Sequence, residues 1–247
     1  MQPTTLRSHG AAPLLLTCEH ASFALPERYA GLGLDAAQLR DHIGWDIGAA
    51  AVTAALSETL AVPAVLSAAS RLLVDCNRAE NADDLMPERS HGVEIPGNRG
   101  IDGEERRRRL REFYAPFHEA VDARLRSSGA RVLLSVHSFT PVLQGRERGF
   151  DIGVLFDDFA PTAQQLGEHL RGEGLAVRMN EPYSGLEGLI YSANRHGRRH
   201  ALRYLEIEIN NGLLAGDSDV ARVARAVARA VAALLSSPFE PVDARRD

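Results

Sequence analysis

The stretch Leu14-Leu15-Leu16-Thr17-Cys18-Glu19-His20 indicates the fold. A short aliphatic run that ends abruptly at a cysteine, a carboxylate and an imidazole is typical of a buried strand entering a polar loop. The run from Val132 to Ser138 repeats this pattern and delivers His137. Ligands of α/β proteins bind outside the carboxyl ends of the strands. We therefore expect His20 and His137 to converge on one crevice, although each alone is also typical of a hydrogen-bonded loop histidine.

A third strand is predicted from Leu205 to Asn210, and it carries two glutamates. The period-two alternation of a strand puts Glu206 and Glu208 on the same face. Two carboxylates this close do not both stay ionised without a nearby cation. One of them is a candidate general base for a water activated by a metal ion. The alternative is an edge strand with a solvated acidic face.

Strands alternate with helices along the chain, which predicts an α/β fold with a mostly parallel sheet covered by helices on both faces. The 247 residues are expected to form one domain, with a loose arm at 1–12 and a frayed tail at 238–247. Apolar spacing, caps and breakers predict a helix from Asp35 to Leu60, short strands at 64–67 and 72–75, a long loop at 79–102, a helix at 104–127, and an irregular stretch at 180–200.

Composition narrows the classes of function. The chain has 28 basic and 33 acidic residues and a formal charge of −5, which argues against nucleic-acid binding. The one strong basic run, Arg106–Arg109, is interpreted as a solvated helix face. All 28 basic residues are arginine, so Schiff-base lysines and P-loop lysines are excluded. Arginine favours bidentate binding of carboxylates.

The two cysteines, Cys18 and Cys76, predict reduced thiols in a cytoplasmic protein rather than a disulfide framework. The apolar run at 11–16 is too short for a signal peptide, and no segment reaches the length of a membrane span. Cys18 also supports a competing mechanism. It stands two residues from His20, on the same face of the predicted strand, so a Cys–His hydrolase is a second hypothesis.

A catalytic zinc site typically uses two histidines and one carboxylate and keeps a position open for water. Asp46 is a candidate third ligand, because a carboxylate on an otherwise apolar helix needs a cation or hydrogen-bond donors. The alternative is a simple ion pair between Asp46 and an arginine. Glu19 is predicted to point to the face opposite His20.

Arginine and asparagine follow the next predicted strand. Asn77 and Arg78 are candidates for a clamp on a substrate carboxylate, and Arg71 for polarising a carbonyl. The alternative is a surface ion pair between Arg71 and Asp75.

Taken together, these motifs resemble the N-formylglutamate amidohydrolase family, a branch similar to the zinc carboxypeptidases and aspartoacylase-like hydrolases. The resemblance covers roughly residues 14–215. The matching motifs are Cys18-Glu19-His20-Ala21-Ser22 with Pro26, the run from His42 to Ala49 around Trp45-Asp46-Ile47-Gly48, Ser70-Arg71-Leu72, Asp75-Cys76-Asn77-Arg78, Ile95-Pro96-Gly97-Asn98, the run from Tyr114 to His118, His137-Ser138-Phe139-Thr140-Pro141, Asn180-Glu181-Pro182-Tyr183-Ser184 and Glu208-Ile209-Asn210. The resemblance implies a three-layer α/β sandwich on a mixed sheet.

The resemblance also implies a set of site residues. The metal ligands would be His20, Asp46 and His137, holding one zinc ion per chain. The catalytic residues would be Glu208, as the base that activates water, and Arg71, as the stabiliser of the oxyanion. The substrate-binding residues would be Asn77, Arg78, Ser138 and Tyr183.

Three hypotheses follow for the function. The leading one is a zinc-dependent amidohydrolase that removes an N-acyl group, for example N-formyl, from a small carboxylate-bearing amide such as N-formylglutamate. The second is a non-catalytic protein that binds a small molecule in the same pocket. The third is the Cys18-dependent hydrolase. The sequence predicts neither a nucleic-acid nor a membrane partner, and it does not distinguish a monomer from a homo-oligomer.

Overall fold

The computed structural model describes residues 1–7, 10–143 and 145–239. Most of the predicted frayed tail, residues 240–247, lies outside these residues. The described strands are β1 (Thr4–Leu6), β2 (Leu14–Cys18), β3 (Ala64–Leu66), β4 (Arg89–Ser90), β5 (Val93–Glu94), β6 (Val132–Phe139), β7 (Val142–Leu143), β8 (Arg146–Glu147), β9 (Ile152–Leu155), β10 (Val177–Met179) and β11 (Arg203–Asn210). The described helices are α1 (Ala36–Arg40), α2 (Ala49–Leu60), α3 (Gly103–Arg109), α4 (Ala115–Ser128), α5 (Ala160–Gly172), α6 (Tyr191–Arg199) and α7 (Asp217–Ser236).

Seven strands form one mixed sheet in the order β1-β3-β2-β6-β11-β9-β10. The pairings β2–β3, β2–β6, β6–β11 and β9–β10 are parallel, whereas β1–β3 and β9–β11 are antiparallel. The remaining strands pair as two small antiparallel hairpins, β4–β5 and β7–β8. The predicted α/β fold with a mostly parallel mixed sheet is confirmed.

The helices cover both faces of this sheet and make three layers. Alternating strand side chains pack into two separate apolar clusters, so Leu14 and Leu16 belong to one and Leu15 to the other. The first cluster includes residues of α2, α5 and α7, and the second includes residues of α4 and α6. The central strands are buried on both faces, and each begins with apolar residues, apart from Arg203 at the start of β11, and carries its polar residues toward the carboxyl end, mostly on the face that holds the site.

Two short predictions were wrong. The arm at 1–12 contains β1, which adds an antiparallel edge strand beside β3. Residues 72–75 form a turn and an irregular segment rather than a strand. Both errors concern segments of three or four residues, where a brief apolar run does not distinguish a strand from an extended or turning loop.

The irregular stretch predicted at 180–200 contains α6. Its buried positions, Ser192, Ala193, His196 and Gly197, recur at helical spacing but are small or polar, so they give no apolar signal. Gly197 is required by packing, because a Cβ there would come 2.0 Å from Cδ1 of Tyr204. The helix therefore lies unusually close to β11.

The helix predicted from Asp35 to Leu60 is two helices. Asp35 caps α1 as predicted, with a reciprocal pair of hydrogen bonds to Gln38. The chain then turns through residues 41–48 before α2 begins. Gly48 adopts φ 83°, and a Cβ at Gly44 would meet the carbonyl oxygen of Leu39 at 2.2 Å. Asp46 consequently lies in a loop, not on a helix.

The predicted helix at 104–127 is present as α3 and α4, joined by a π-helical turn at Leu110–Tyr114. The interpretation of Arg106–Arg109 as a solvated face was wrong for Arg109, which is 2% exposed. Its guanidinium donates hydrogen bonds to the carbonyl oxygens of Leu73 and Gly97 and to Oδ1 of Asn98. The predicted long loop at 79–102 is thus anchored by a buried cation.

Among the described helices, none is long and apolar enough to cross a membrane.

Candidate active site

The carboxyl ends of the central strands deliver the predicted residues to one face of the sheet. In the parallel pairing of β6 with β11, Glu208 lies opposite His137 and Glu206 lies opposite Ser135. Strand β11 has β6 on one side and β9 on the other. The alternative of a solvated edge strand was therefore wrong, and both glutamates are buried.

His20 follows the end of β2 and is held by two aspartates. Its Nε2 lies 2.7 Å from Oδ1 of Asp75. Its Nδ1 is buried without a hydrogen bond and lies 3.4 Å from Oδ2 of Asp46. A histidine whose one nitrogen is fixed by a carboxylate presents its other nitrogen in a defined orientation, as metal-binding histidines do.

His137 is held in the same way. Its Nε2 lies 3.1 Å from Oε2 of Glu19, and its Nδ1 lies 2.8 Å from Oδ2 of Asp46. The rings of His20 and His137 meet edge to face with centroids 4.7 Å apart. The two Nδ1 atoms and the carboxylate of Asp46 therefore face one another.

The prediction that Glu19 points away from the site was wrong. Strand alternation through Cys18 puts Glu19 on the face of Ser135 and His137, and it is His20, beyond the end of β2, that departs from the alternation. The hydroxyl of Ser135 donates to Oε2 of Glu19 over 2.5 Å. Burial disfavours the charged form, but the bonds from His137 and Ser135 outweigh it and lower the pKa of Glu19 to about 2.

Asp46 is the centre of the group. Besides the two histidines, its carboxylate accepts a hydrogen bond from the backbone N–H of Ser138 and lies 3.4 Å from the guanidinium of Arg71. Burial opposes ionisation, but the two histidines outweigh it and lower the pKa of Asp46. Arg71 also donates to Asp75 over 2.9 Å, so it is a bridge between two buried carboxylates rather than a surface ion pair.

The donor atoms fit a divalent metal ion. His20, Asp46 and His137 are buried and each offers one ligand atom, all within 4.8 Å of one another. The orphaned Nδ1 of His20 is a buried lone pair or N–H without a protein partner. Two imidazoles and one carboxylate are the donor set of a catalytic zinc site. A cation here would also offset the charge of the surrounding carboxylates.

Glu206 and Glu208 differ in the hydrogen bonds that their carboxylates accept. Oε2 of Glu206 accepts a hydrogen bond from the amide of Asn77 over 3.2 Å, whereas Oε2 of Glu208 is buried without a hydrogen bond. Burial is the largest cause that raises the pKa of Glu206 to about 7, and the charge of Glu19 adds to it. Burial, Asp46 and Glu206 raise the pKa of Glu208 well above its ordinary value. Glu208 thus has a free oxygen at the cleft.

These groups line one cleft, which opens to solvent at its mouth. The predicted substrate-binding residues all line it. The lining residues are His20, His42, Asp46, Arg71, Asn77, Arg78, His91, His137, Ser138, Phe139, Thr140, Tyr183, Leu189, Glu206 and Glu208.

The predicted substrate-binding residues differ in how many of their hydrogen-bonding groups already have a protein partner. The side chain of Asn77 is fully engaged, since it donates to Glu206 and to the carbonyl of Leu189 and accepts from the N–H of Ser192. Arg78 uses Nε on Asp84 and one amino group on the carbonyl of Asn77, which leaves its other amino group.

Ser138 donates its hydroxyl to the carbonyl of Ile47 over 2.8 Å. The ring of Tyr183 lies under the guanidinium of Arg148. Burial, followed by the charge of Glu208, raises the pKa of Tyr183, so its hydroxyl keeps its proton.

Two histidines of the cleft were not predicted. His42 is held by Asp41, whose Oδ1 lies 2.8 Å from Nδ1 of the ring, and its Nε2 has no hydrogen bond. His91 comes from the turn of the β4–β5 hairpin, and its ring lies 4.9 Å from that of His42. His42 belongs to a motif noted in the sequence, whereas nothing in the sequence near His91 connects it with the others.

Cys18 is not placed as the thiol hypothesis requires. Its side chain packs in the apolar cluster that contains α2 and α7, on the face of the sheet opposite His137. It is fully buried, and burial raises the pKa of the thiol. A buried thiol with a raised pKa contains almost no thiolate, which is the reactive form.

We therefore expect Cys18 to be inert in the native protein. Iodoacetamide at pH 8 should leave Cys18 unmodified by mass spectrometry, and the Cys18→Ala variant should keep the turnover of the unmodified chain. The same reagent applied in denaturant is the control and should alkylate both cysteines. Rapid native alkylation of Cys18 with loss of turnover would revive the thiol mechanism.

The fold and the site together describe an α/β protein in which two histidines, one aspartate and buried glutamates meet at the carboxyl ends of the central strands of a mixed sheet. The family model described as N-formylglutamate amidohydrolase matches residues 12–215. The chain belongs to the N-formylglutamate amidohydrolase family.

Two solved structures show the same likeness. The crystal structure of gene product Atu2144 from Agrobacterium tumefaciens is 35% identical, with 95% of each chain covered and a TM-score of 0.90. An N-formylglutamate amidohydrolase from Ralstonia eutropha JMP134 is 20% identical, with 95% of this chain and 97% of that chain covered and a TM-score of 0.62. A search of the curated proteins found no match.

Proposed function

We propose that the protein is a zinc-dependent amidohydrolase that removes an N-acyl group, such as N-formyl, from a small carboxylate-bearing amide such as N-formylglutamate. The observation that carries this proposal is the facing arrangement of His20, Asp46 and His137 beside the free carboxylate oxygen of Glu208. Family membership supports the reaction class.

His20, Asp46 and His137 would hold the zinc ion, with Asp75 and Glu19 fixing the two imidazoles from behind. When bound, such an ion lowers the pKa of water and polarises a carbonyl oxygen. The supporting carboxylates make the histidines stronger ligands and fix their tautomers.

Glu208 is proposed as the general base. Its Oε2 takes a proton from the attacking water and then gives that proton to the amide nitrogen as the amine leaves. Burial raises the pKa of Glu208, and the charges of Asp46 and Glu206 add to this effect, so a cation bound nearby would favour the ionised form that a general base needs. Asn77 anchors the neighbouring Glu206, so we assign Asn77 to positioning that carboxylate rather than to gripping substrate.

Arg71 and Arg78 provide positive charge at the cleft. Asp46 and Asp75 hold the guanidinium of Arg71 in one orientation, where it stabilises negative charge developing on the carbonyl oxygen. Arg78 is proposed to bind the substrate carboxylate with its remaining amino group. Ser138 and Tyr183 would complete the wall that selects the substrate.

Metal removal tests the proposal. Hydrolysis of N-formyl-L-glutamate should fall to background after dialysis against a chelator and return on addition of zinc. The His20→Ala variant should bind one zinc fewer per chain than the unmodified protein, measured by elemental analysis, and should stay inactive with zinc added. Full turnover in chelator would overturn the mechanism. Binding of N-acyl amino acids without any hydrolysis would instead favour the non-catalytic binding protein.

A further inference from the structure

A second cluster of ligand-type side chains lies between α4 and α6 and shares no residue with the candidate active site. Asp122 comes from α4, His196 from α6, and His200 directly follows α6. Their ligand atoms all lie within 4.8 Å of one another. Oδ1 of Asp122 is 2.9 Å from Nδ1 of His196 and 2.9 Å from Nε2 of His200.

The backbone brings the two imidazoles together. His196 and His200 are four residues apart, and the N–H of His200 bonds to the carbonyl of His196 over 3.0 Å, so the helical turn continues to His200. Side chains with this spacing lie on the same face of a helix. Asp122 faces them from α4. Two imidazoles and one carboxylate again form the donor set of a zinc site.

A third histidine supports the cluster from behind. His118 is 2% exposed, and its Nδ1 lies 2.8 Å from Nε2 of His196. Nε2 of His118 has no hydrogen-bond partner. Metal-binding histidines usually donate their second ring N–H to a hydrogen-bond acceptor, and Nδ1 of His118 is placed to be such an acceptor. If a cation binds Nδ1 of His196, the proton of that ring is on Nε2, and Nε2–H donates to Nδ1 of His118. The two rings then each have one protonated nitrogen, as neutral histidines require.

The surroundings leave one side of the cluster open. Asp122 lines a surface cleft together with His118 and Arg199, and the His200 side chain is partly exposed. Arg199 binds the other oxygen of Asp122, Oδ2, over 2.9 Å, so Oδ1 remains directed at the imidazoles. The competing interpretation is an ion-pair cluster of Arg199 and the two histidines on Asp122 that needs no metal.

We propose that Asp122, His196 and His200 bind a zinc ion that links α6 to α4. A link between α6 and α4 would also affect the candidate active site. In the first turn of α6, the N–H of Ser192 donates to Oδ1 of Asn77 over 2.9 Å. Asn77 in turn holds Glu206. Fixing α6 therefore fixes the support of one of the two strand glutamates.

The test uses a background from which the first site has been removed. The His20→Ala/His137→Ala protein, loaded with zinc chloride and desalted, should retain one zinc per chain by elemental analysis. Adding His200→Ala should reduce this to none, whereas adding the control change His169→Ala, at a helix histidine outside both clusters, should leave it at one. Zinc should raise the thermal unfolding midpoint of the background and control proteins only.

A second measurement covers the case in which the background protein does not fold by circular dichroism. His200→Ala alone should then bind one zinc fewer than the unmodified chain. Equal zinc content with and without His200, in either comparison, would overturn the second site and establish the metal-free ion-pair cluster. Any zinc that the His200→Ala protein binds is bound at the first site, His20, Asp46 and His137. The experiment therefore tests the two sites separately.

Discussion

The Glu208→Gln variant is expected to lose about 10²- to 10⁴-fold in kcat, the range that a positioned general base supplies. Glutamine is nearly isosteric but does not accept a proton, and Oε2 of Glu208 is buried without a hydrogen bond. Turnover of N-formyl-L-glutamate measures the loss. Zinc content should not change, because Glu208 is not among the proposed ligands of the first site.

Glu206→Gln is the matched control, since it lies two residues away on the same face of β11. Its carboxylate already accepts from Asn77, so its replacement should reduce kcat much less than Glu208→Gln does. The opposite order of effects would transfer the role of base to Glu206. Retention of full activity by Glu208→Gln would remove Glu208 from the mechanism.

Arg109→Met is expected to lower the free energy of unfolding by about 3 kcal/mol, because it leaves several buried acceptors unpaired. The guanidinium now satisfies the carbonyls of Leu73 and Gly97 and the side chain of Asn98, and methionine fills the space without donating. For a chain of this size the thermal midpoint should fall by roughly 6–12 °C. Differential scanning calorimetry measures it.

Arg108→Met is the control on the same helix. The Arg108 side chain is 45% exposed and pairs with Glu105, and exposed pairs contribute little to stability. Its midpoint should stay close to that of the unmodified protein. Equal midpoints for the two variants would show that the buried hydrogen bonds of Arg109 do not stabilise the loop at 79–102.

The strand ends were predictable because an aliphatic run that stops at a polar residue is a local signal. His20, His137 and Glu208 could be named from such runs, and the register of β6 with β11 brings two of them together. The mostly parallel sheet with helices on both faces followed from the alternation of elements, whereas its mixed character was implied by the family resemblance. These features depend on patterns within about ten residues.

The remaining features depend on contacts between distant residues. Asp46 was assigned to a helix, whereas close packing of Gly44 against Leu39 and the left-handed conformation of Gly48 turn the chain there. The supporting role of Asn77 results from contacts with Glu206, Leu189 and Ser192, more than 100 residues along the chain. No local periodicity encodes such pairings, which is why the sequence indicated the residues at the strand ends but not the residues that support them.

The central position of β11 has a consequence for biosynthesis. Proteins are made from the N-terminus, yet β11 is the last strand of the sheet along the chain and pairs with β6 and β9 on its two sides. Until residues 203–210 emerge, those two strands each present an unpaired hydrogen-bonding edge, which is a template for aggregation. The sheet is therefore complete only once β11 has been made, and Glu208, the proposed general base, arrives on the strand that joins β6 to β9.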